Sequence, residues 1–138
     1  MDPVTYDLRA DGVPELRYHD ALLTDHALDY DSVPEAARSG QMRRLLCAAA
    51  LGCFAGSARA ALLARGVTPR SLHGAATAET GPGDGGSRVM AIDIRVEVDI
   101  DDTDAETLAK VQKILEKGCL ITRSLTPGIA VTHELVRV

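Results

Sequence analysis

Aromatic side chains are scarce in this sequence of 138 residues, which has no tryptophan, one phenylalanine and three tyrosines. Because 46% of the residues are nonetheless hydrophobic, the core must be built from Ala, Leu, Val and Ile that pack through close backbone approach. A chain of this size buries about 68–70% of its unfolded surface, so it needs neither disulfides nor metal ions to stay folded. We therefore predict one domain over residues 1–138.

The sequence also lacks a basic segment and has few cysteines. Its formal net charge is −5, so we expect no nucleic-acid partner. Its first residues have neither a cationic start nor an apolar stretch, and we do not expect them to act as a signal peptide. Three cysteines are an odd and low number for a secreted disulfide scaffold, and they predict a cytoplasmic protein.

Metal-ligand spacing is missing as well, because the four histidines are scattered along the chain: His19, His26, His73 and His133. The glycines of the segment Gly81–Ser87 follow a predicted strand but open no helix, which disfavours a phosphate site. We therefore expect no metal and no other bound cofactor.

One long segment without acidic residues, Leu45–Ala64, has the length of a membrane span, about 20 residues. Arg59 lies within it, and Ala, Gly and Ser outnumber the Leu and Ile that favour lipid. A charge inside a span is costly, so we expect a buried helix of a soluble protein and no membrane partner.

The order of hydrophobic patterns predicts an α+β fold with an antiparallel sheet and segregated helices. The helix over Gln41–Arg65 is apolar most of the way round, which predicts burial on several sides. The predicted elements are short strands between Val4 and Tyr30, a helix Gln41–Arg65 ended by Gly66, a strand Arg70–Glu79, a hairpin loop Gly81–Ser87, a strand Arg88–Ile100, a helix from a capping box at Thr103–Glu106 to Gly118, and a strand Ile129–Val138.

The candidate reactive residues are two cysteines in different settings. Cys53 lies in the long helix among small residues, and Cys119 directly follows the helix-ending Gly118. Arg123 lies four residues after Cys119, and such a charge favours a thiolate. Each cysteine can equally be a small core residue, as we expect for Cys47, since free cysteine is among the most buried residue types. If Cys53 and Cys119 meet in the fold, they can form a reversible disulfide.

Two segments resemble the signatures of the OsmC/Ohr family. Arg44–Phe54 (RLLCAAALGCF) is similar to the helix signature that leads into the family's first cysteine. Gly118–Leu125 (GCLITRSL) is similar to the second signature, a Cys-Pro-(Val/Ile)-Ser-x-x-Leu-like motif ahead of the last strand. The separation of the two segments, the element order and the final strand also agree, so the resemblance covers the chain from about Leu22 onward.

This resemblance implies an intertwined α+β homodimer with active sites at the subunit interface. Cys53 would be the peroxidatic cysteine, which attacks an organic hydroperoxide as a thiolate and becomes a sulfenic acid. Cys119 would condense with it to a disulfide, and a dithiol reductant would restore the pair by exchange. The implied function is thiol-dependent reduction of organic hydroperoxides in oxidative-stress defence.

The chain departs from the family at two places. The family commonly has a carboxylate about ten residues before the first cysteine, paired with an arginine from an N-terminal loop. Arg43 stands near that place here, and Arg9 and Arg17 are the candidates for the loop arginine. Either Arg43 supplies positive charge to the site, or it is a solvated residue at the helix start. Leu120 replaces the proline that usually follows the second cysteine.

These departures keep other functions open. A non-catalytic OsmC-like dimer could bind a small apolar ligand in the same pocket, and a redox sensor could form the disulfide without turnover.

Overall fold

The computed structural model describes residues 3–138, which divide into two compact units. The first unit ends at Gly40, and the second comprises Gln41–Val138. The single domain over residues 1–138 stays a prediction.

The first unit contains the short strands that the sequence predicts. They are β1 (Thr5–Leu8), β2 (Pro14–Arg17) and β3 (His26–Ala27), which form an antiparallel sheet in this order. The turn between β1 and β2 contains Gly12 at φ 83°, where the Asp11 carboxylate accepts a hydrogen bond from the Val13 N–H at 3.0 Å. Two short 3₁₀ turns, Tyr30–Ser32 and Glu35–Ala37, lie in the predicted connector.

The second unit begins with the long helix α1 (Gln41–Leu63), which confirms the predicted helix and ends two residues earlier than expected. Gly66 has φ 77°, and the Val67 N–H bonds back to the Leu62 carbonyl at 3.0 Å. This backward bond across a left-handed glycine ends the helix as predicted.

Burial of α1 on several sides is wrong within the single chain. Its buried residues repeat every four positions, so they form one face: Ala50, Phe54, Ala58 and Leu62. On the other side, a Cβ added at Gly52 or Gly56 would meet no heavy atom within 4 Å. The other elements of the unit cover only one face of α1. The alanine and glycine residues on the remaining surface of the helix expose little apolar area.

The region Glu35–Leu63 also meets the criteria of a membrane-crossing helix by length and composition, with an 18-residue window of mean hydropathy 1.6. The core helix of a soluble protein meets the same criteria, but only 22% of this window is buried within the chain, in keeping with the open face. The absence of a membrane partner therefore stays a prediction.

The sheet of the second unit starts with a long hairpin of β4 (Ser71–Gly83) and β5 (Gly86–Asp99). The ladder runs up to the pair Gly83↔Gly86, so the predicted loop Gly81–Ser87 is too long. A turn of Asp84 and Gly85 suffices, since Gly85 adopts φ 85° without a steric penalty.

A β-bulge explains the irregular apolar pattern of β5. Glu79 pairs with Ala91 and Thr80 with Val89, which leaves Met90 as the extra residue. The extra residue shifts the alternation of inward-facing and outward-facing side chains by one position. The buried residues after the bulge therefore have even numbers: Ile92, Ile94, Val96 and Val98.

The last strand, β6 (Ala130–Arg137), pairs with β5 in parallel, and here the expectation of a wholly antiparallel sheet is wrong. Between these strands lie α2 (Ala105–Leu115) and α3 (Leu120–Leu125). A crossover of this length lets the chain return to the same edge of the sheet in the same direction, which a tight turn cannot do. The α+β class itself is confirmed.

The start of α2 also differs from the prediction. Thr103 lies in a 3₁₀ turn, Asp102–Asp104, and Asp104 precedes α2 without a side-chain cap. The predicted capping box at Thr103–Glu106 is therefore absent. Leu108, Val111 and Leu115 form the predicted apolar stripe, whereas Ile114 is 41% exposed.

Candidate functional site

The fold brings Cys53 and Cys119 together, close enough that each thiol shifts the pKa of the other. Both are free thiols in this structure. Cys119 belongs to the buried core at 5% exposure, and the half-buried Cys53 packs against that core from α1. Two residues far apart in sequence therefore form one dithiol pair.

The position of Cys119 follows from the break between α2 and α3. Gly118 has φ 80°, and its N–H bonds to the Leu115 carbonyl at 2.9 Å. Cys119 then adopts an extended backbone and becomes the N-cap residue of α3. A Cβ at position 118 would stand 2.5 Å from Thr122 Oγ1, so this turn requires glycine for both conformation and space.

Thr122 holds Cys119 through a reciprocal capping box. The Cys119 N–H donates to Thr122 Oγ1 at 2.8 Å, and the Cys119 side chain accepts from the backbone N–H of Thr122. The same hydroxyl lies 3.4 Å from Cys119 Sγ, and Thr122 as a whole is 1% exposed. Sequence reasoning missed Thr122, although a polar residue three positions after an N-cap is the spacing of a capping box.

The two thiols differ in how readily they ionise. Burial raises the pKa of Cys53, and the hydrogen bond with Cys119 raises it further. Burial opposes the thiolate of Cys119 too, but hydrogen bonds from Cys53, Thr122 and the backbone N–H groups of Thr122 and Ile121 outweigh it and lower the pKa of Cys119. Within one chain, the thiolate is therefore favoured on Cys119 over Cys53.

Arg43 does not lie at the dithiol pair of its own chain. It lines a groove of about 490 Å³ between the start of α1 and β4, together with Arg44, Cys47, Ala48, Leu51, Ala76, Thr77 and Ala78. Ten helical residues separate Arg43 from Cys53, a rise of about 15 Å. Within the single chain, the structure therefore does not support the hypothesis that Arg43 supplies positive charge to the dithiol pair.

Each of the other arginine candidates has a partner within its own unit. In the first unit, Arg9 pairs with Asp11 at 3.0 Å, and Arg17 lies 3.7 Å from Asp25. In the second unit, Arg123 Nε donates to the Cys119 carbonyl at 3.4 Å, so its recorded bond is to the backbone and not to the sulfur.

His133 is a further residue at the site that sequence reasoning passed over. Its ring packs on Phe54 with centroids 4.7 Å apart, and its Nε2 would be 3.3 Å from a Cβ on Gly118. It therefore touches the neighbours of both cysteines. The alternation of β6 was the available signal, because it places His133 on the same face as Val131 and Leu135.

Among residues 3–138, no cluster of three or more His, Cys, Asp or Glu side chains has the arrangement to hold a metal ion. The polar groups at the site are its thiols, the Thr122 hydroxyl and the His133 imidazole.

Several solved structures share this fold. An OsmC-like protein from Mycoplasma pneumoniae matches with a TM-score of 0.64 and 21% identity, over 97% of this chain and 96% of that one. An OsmC-like protein from Vibrio cholerae matches with a TM-score of 0.68 and 15% identity, over 96% of both chains. The organic hydroperoxide resistance protein OhrB of Bacillus subtilis matches with a TM-score of 0.53 and 18% identity, over 96% of both chains.

No curated protein matches the chain by sequence. The family model described as "OsmC-like protein" matches residues 43–134, which include both cysteines and the whole β4–β5 hairpin. The chain thus belongs to the OsmC-like protein family.

Proposed function

We propose that the protein reduces organic hydroperoxides through a redox cycle of Cys53 and Cys119, with a dithiol as reductant. The observation that carries the proposal is the contact of the two free thiols, which the fold makes from distant parts of the chain. Similarity to organic hydroperoxide resistance proteins of Bacillus subtilis and Legionella pneumophila supports the same chemistry. We expect this cycle to run in the cytoplasm, where dithiol reductants are available.

In the first step, the Cys53 sulfur attacks one oxygen of the hydroperoxide and the O–O bond breaks. The sulfur is oxidised to a sulfenic acid, and the other oxygen takes a proton and leaves as an alcohol. Cys119 then attacks the Cys53 sulfur, a disulfide forms, and the hydroxyl of the sulfenic acid leaves as water. A dithiol reduces this disulfide by exchange and is itself oxidised.

Accessibility and charge distinguish the roles of the two thiols. Cys53 is half-buried and Cys119 is 5% exposed, so a peroxide reaches Cys53 more easily. The hydrogen bonds that favour charge on Cys119 suit the second step, in which Cys119 must act as a thiolate nucleophile. For the first step, the proton must leave Cys53, and the thiolate of Cys119, which interacts with Cys53, can accept it.

A homodimer is part of the proposal. The small residues Ala49, Gly52, Gly56 and Ala60 follow one open side of α1, where a second copy could approach closely. Because Arg43 lies far from Cys53 in its own chain, the only dithiol site that its positive charge can serve is that of the other copy.

The direct test is turnover of cumene hydroperoxide with dithiothreitol by the wild type and three single variants. Cys53→Ser should abolish turnover, and Cys119→Ser should stop after one equivalent with a sulfenic acid that dimedone traps. Cys47→Ser is the matched control and should keep full activity, because Cys47 lines the separate groove. Trapping of a sulfenic acid in Cys53→Ser but not in Cys119→Ser would reverse the two roles, and absence of turnover with any dithiol would reject the peroxidase.

The groove beside Arg43 and Arg44 favours a second candidate, an OsmC-like protein that binds a small apolar ligand without catalysis. Ala48, Leu51 and Ala76 form an apolar part of its lining, and the two arginine side chains add positive charge. Native mass spectrometry distinguishes the candidates, since a retained ligand together with an inert Cys53 would favour binding.

A further inference from the structure

We propose that the groove between the start of α1 and β4 binds an amphipathic oxyanion, a carboxylate or phosphate ester with a short apolar chain, whose head group Arg43 and Arg44 hold. The inference rests on the ligand-binding function proposed for this groove and names the class of ligand. It does not depend on the dithiol cycle, because neither Cys53 nor Cys119 belongs to the lining that residues 3–138 form.

The groove exists because small side chains face each other across α1 and β4. The lining between the two arginines and Leu51 is made mostly of small residues: Cys47, Ala48, Ala76 and Ala78. A Cβ on Gly74 would stand 2.8 Å from Leu51 Cδ1, so the helix packs closely on the strand at Leu51. A space of about 490 Å³ stays open beside this contact. Sites for small molecules have volumes of roughly 300–1,000 Å³, so the groove is large enough for a ligand.

The two arginines of the groove carry positive charge that no recorded group of the chain neutralises. Most arginines of the second unit donate to a carboxylate or a carbonyl, as Arg70, Arg88 and Arg137 do. Among residues 3–138, no hydrogen bond or ion pair is recorded for Arg43 or Arg44, and no Asp or Glu belongs to the groove lining. The groove is therefore positively charged in a chain whose net charge is −5.

The place of these arginines in the helix also favours an anion. The first turn of α1 has the sequence Gln41-Met42-Arg43-Arg44, without an acidic residue. Cations at this end of a helix oppose its dipole, and two neighbouring cations repel each other. An oxyanion would offset both effects, and the planar guanidinium group matches a carboxylate or phosphate through two parallel hydrogen bonds.

The rest of the lining selects for an apolar chain on the same molecule. Ala48, Leu51 and Ala76 present apolar surface, and a hydrocarbon chain that covers it leaves water. The helix rises by about 10 Å from Arg44 to Leu51, which suits a chain of medium length. An inorganic anion would leave this surface uncovered, and a neutral hydrocarbon would leave the arginines without a partner.

The proposed homodimer packs away from this groove. At about 100° per residue, Cys47 and Leu51 point to the same side of α1 as Phe54, which packs on the rest of the second unit. Gly52 and Gly56 point to the opposite side, where the second copy would approach. A dimer through that side and a ligand in the groove are therefore compatible.

Titration calorimetry of the reduced full-length chain with octanoate, octyl phosphate and octanol tests the proposal, because the three probes share one apolar chain. We expect at least one of the two anions to bind about 10-fold more tightly than octanol at low salt, a modest gain because the arginines are exposed. Salt should reduce this preference, since it screens exposed charges, and should leave the binding of octanol unchanged.

Variants locate the binding site. Arg43→Gln combined with Arg44→Gln should remove the preference for the anion and keep the affinity for octanol. Arg59→Gln is the matched control, because Arg59 is an exposed arginine of α1 outside the groove lining formed by residues 3–138. It should leave all three affinities unchanged. Ala48→Trp should fill the groove and abolish binding of all three probes, and it should stay folded by circular dichroism because Ala48 is exposed.

Equal affinities of the wild type for octanol and both anions would overturn the proposal and leave the binding of apolar ligands standing. A preference that survives the double arginine variant would also overturn it, as would an equal loss in Arg59→Gln, which would indicate attraction by overall charge. Failure of all three probes to bind would reject the ligand-binding function together with this inference. Turnover of cumene hydroperoxide decides the peroxidase separately.

Discussion

Gly118 shows how one residue positions the reactive part of the molecule. Its left-handed backbone turns the chain from α2 into α3, and its missing Cβ makes room for the Thr122 hydroxyl. Gly66 has a similar φ of 77°, but a Cβ there would meet nothing within 4 Å. A side chain at Gly66 would therefore cause backbone strain alone, whereas a side chain at Gly118 would also cause a steric clash.

We predict that Gly66→Ala lowers the free energy of unfolding by about 1–2 kcal/mol, the cost of a left-handed alanine. Gly118→Ala should lower it by about 2–5 kcal/mol, because the methyl group also displaces Thr122 and with it Cys119. Urea unfolding of both variants under reducing conditions measures the difference. Equal losses would mean that the space beside Thr122 adapts without cost.

At the scale of elements, an arginine joins the end of the β4–β5 hairpin to the chain beyond it. Arg70 donates to both oxygens of Asp99, at 2.7 and 3.2 Å, and to the Ile100 carbonyl at 2.9 Å, and it also pairs with Asp101. The hydrogen bond from Arg70 lowers the pKa of Asp99 below its ordinary value of 3.8. These groups are exposed, so each pair contributes modestly and is weakened by salt.

This ion pair predicts how stability depends on pH. A carboxyl whose pKa is lowered on folding stabilises the protein above its unfolded pKa and loses that contribution as the pH falls through the folded value. The difference in unfolding free energy between wild type and Arg70→Met should therefore be constant above about pH 5 and shrink toward pH 2–3.

Thermal or urea unfolding from pH 2 to 7 at low salt tests this dependence. Arg59→Met is the matched control, because Arg59 is an exposed arginine of α1 for which residues 3–138 provide no recorded ion pair. Its difference from wild type should not change with pH. A difference for Arg70→Met that persists at pH 2 would show that packing of the side chain, and not its charge, stabilises the hairpin.

At the scale of the whole molecule, the open side of α1 is the feature that a single chain does not explain. Gly52 and Gly56 lie on it in a helix interior, where glycine is about 1 kcal/mol less favourable than alanine. Small residues retained at this cost are consistent with close approach of another backbone, as the proposed homodimer requires.

We predict that the wild type sediments as a dimer and that Gly56→Leu sediments as a monomer. The leucine would fill the space into which the second copy packs, while its Cβ meets no heavy atom of its own chain within 4 Å and the residue improves helix propensity. The monomer should therefore remain folded by circular dichroism. Ala109→Leu, on the exposed side of α2, is the control and should stay dimeric. A monomeric wild type, or a dimeric Gly56→Leu, would contradict this arrangement.

The sequence by itself determined the elements whose signals are local. The long apolar run of Leu45–Ala64 and the glycine after the helix predict α1, and the alternation from Ile92 to Val98 predicts β5. Hydrogen bonds and side-chain faces within one element depend on residues a few positions apart, so their pattern is written in order along the chain. The family signatures around Cys53 and Cys119 are local signals of the same kind, because each is a short continuous segment of the sequence.

Only the tertiary structure decided which of these elements meet. The parallel pairing of β6 with β5, the contact of Cys53 with Cys119, and the approach of Thr122 and His133 to Gly118 depend on the crossover of α2 and α3. The same packing leaves Arg43 beside the groove and away from the thiols. Distances between remote residues result from the packing of whole elements, and no spacing in a single sequence encodes them.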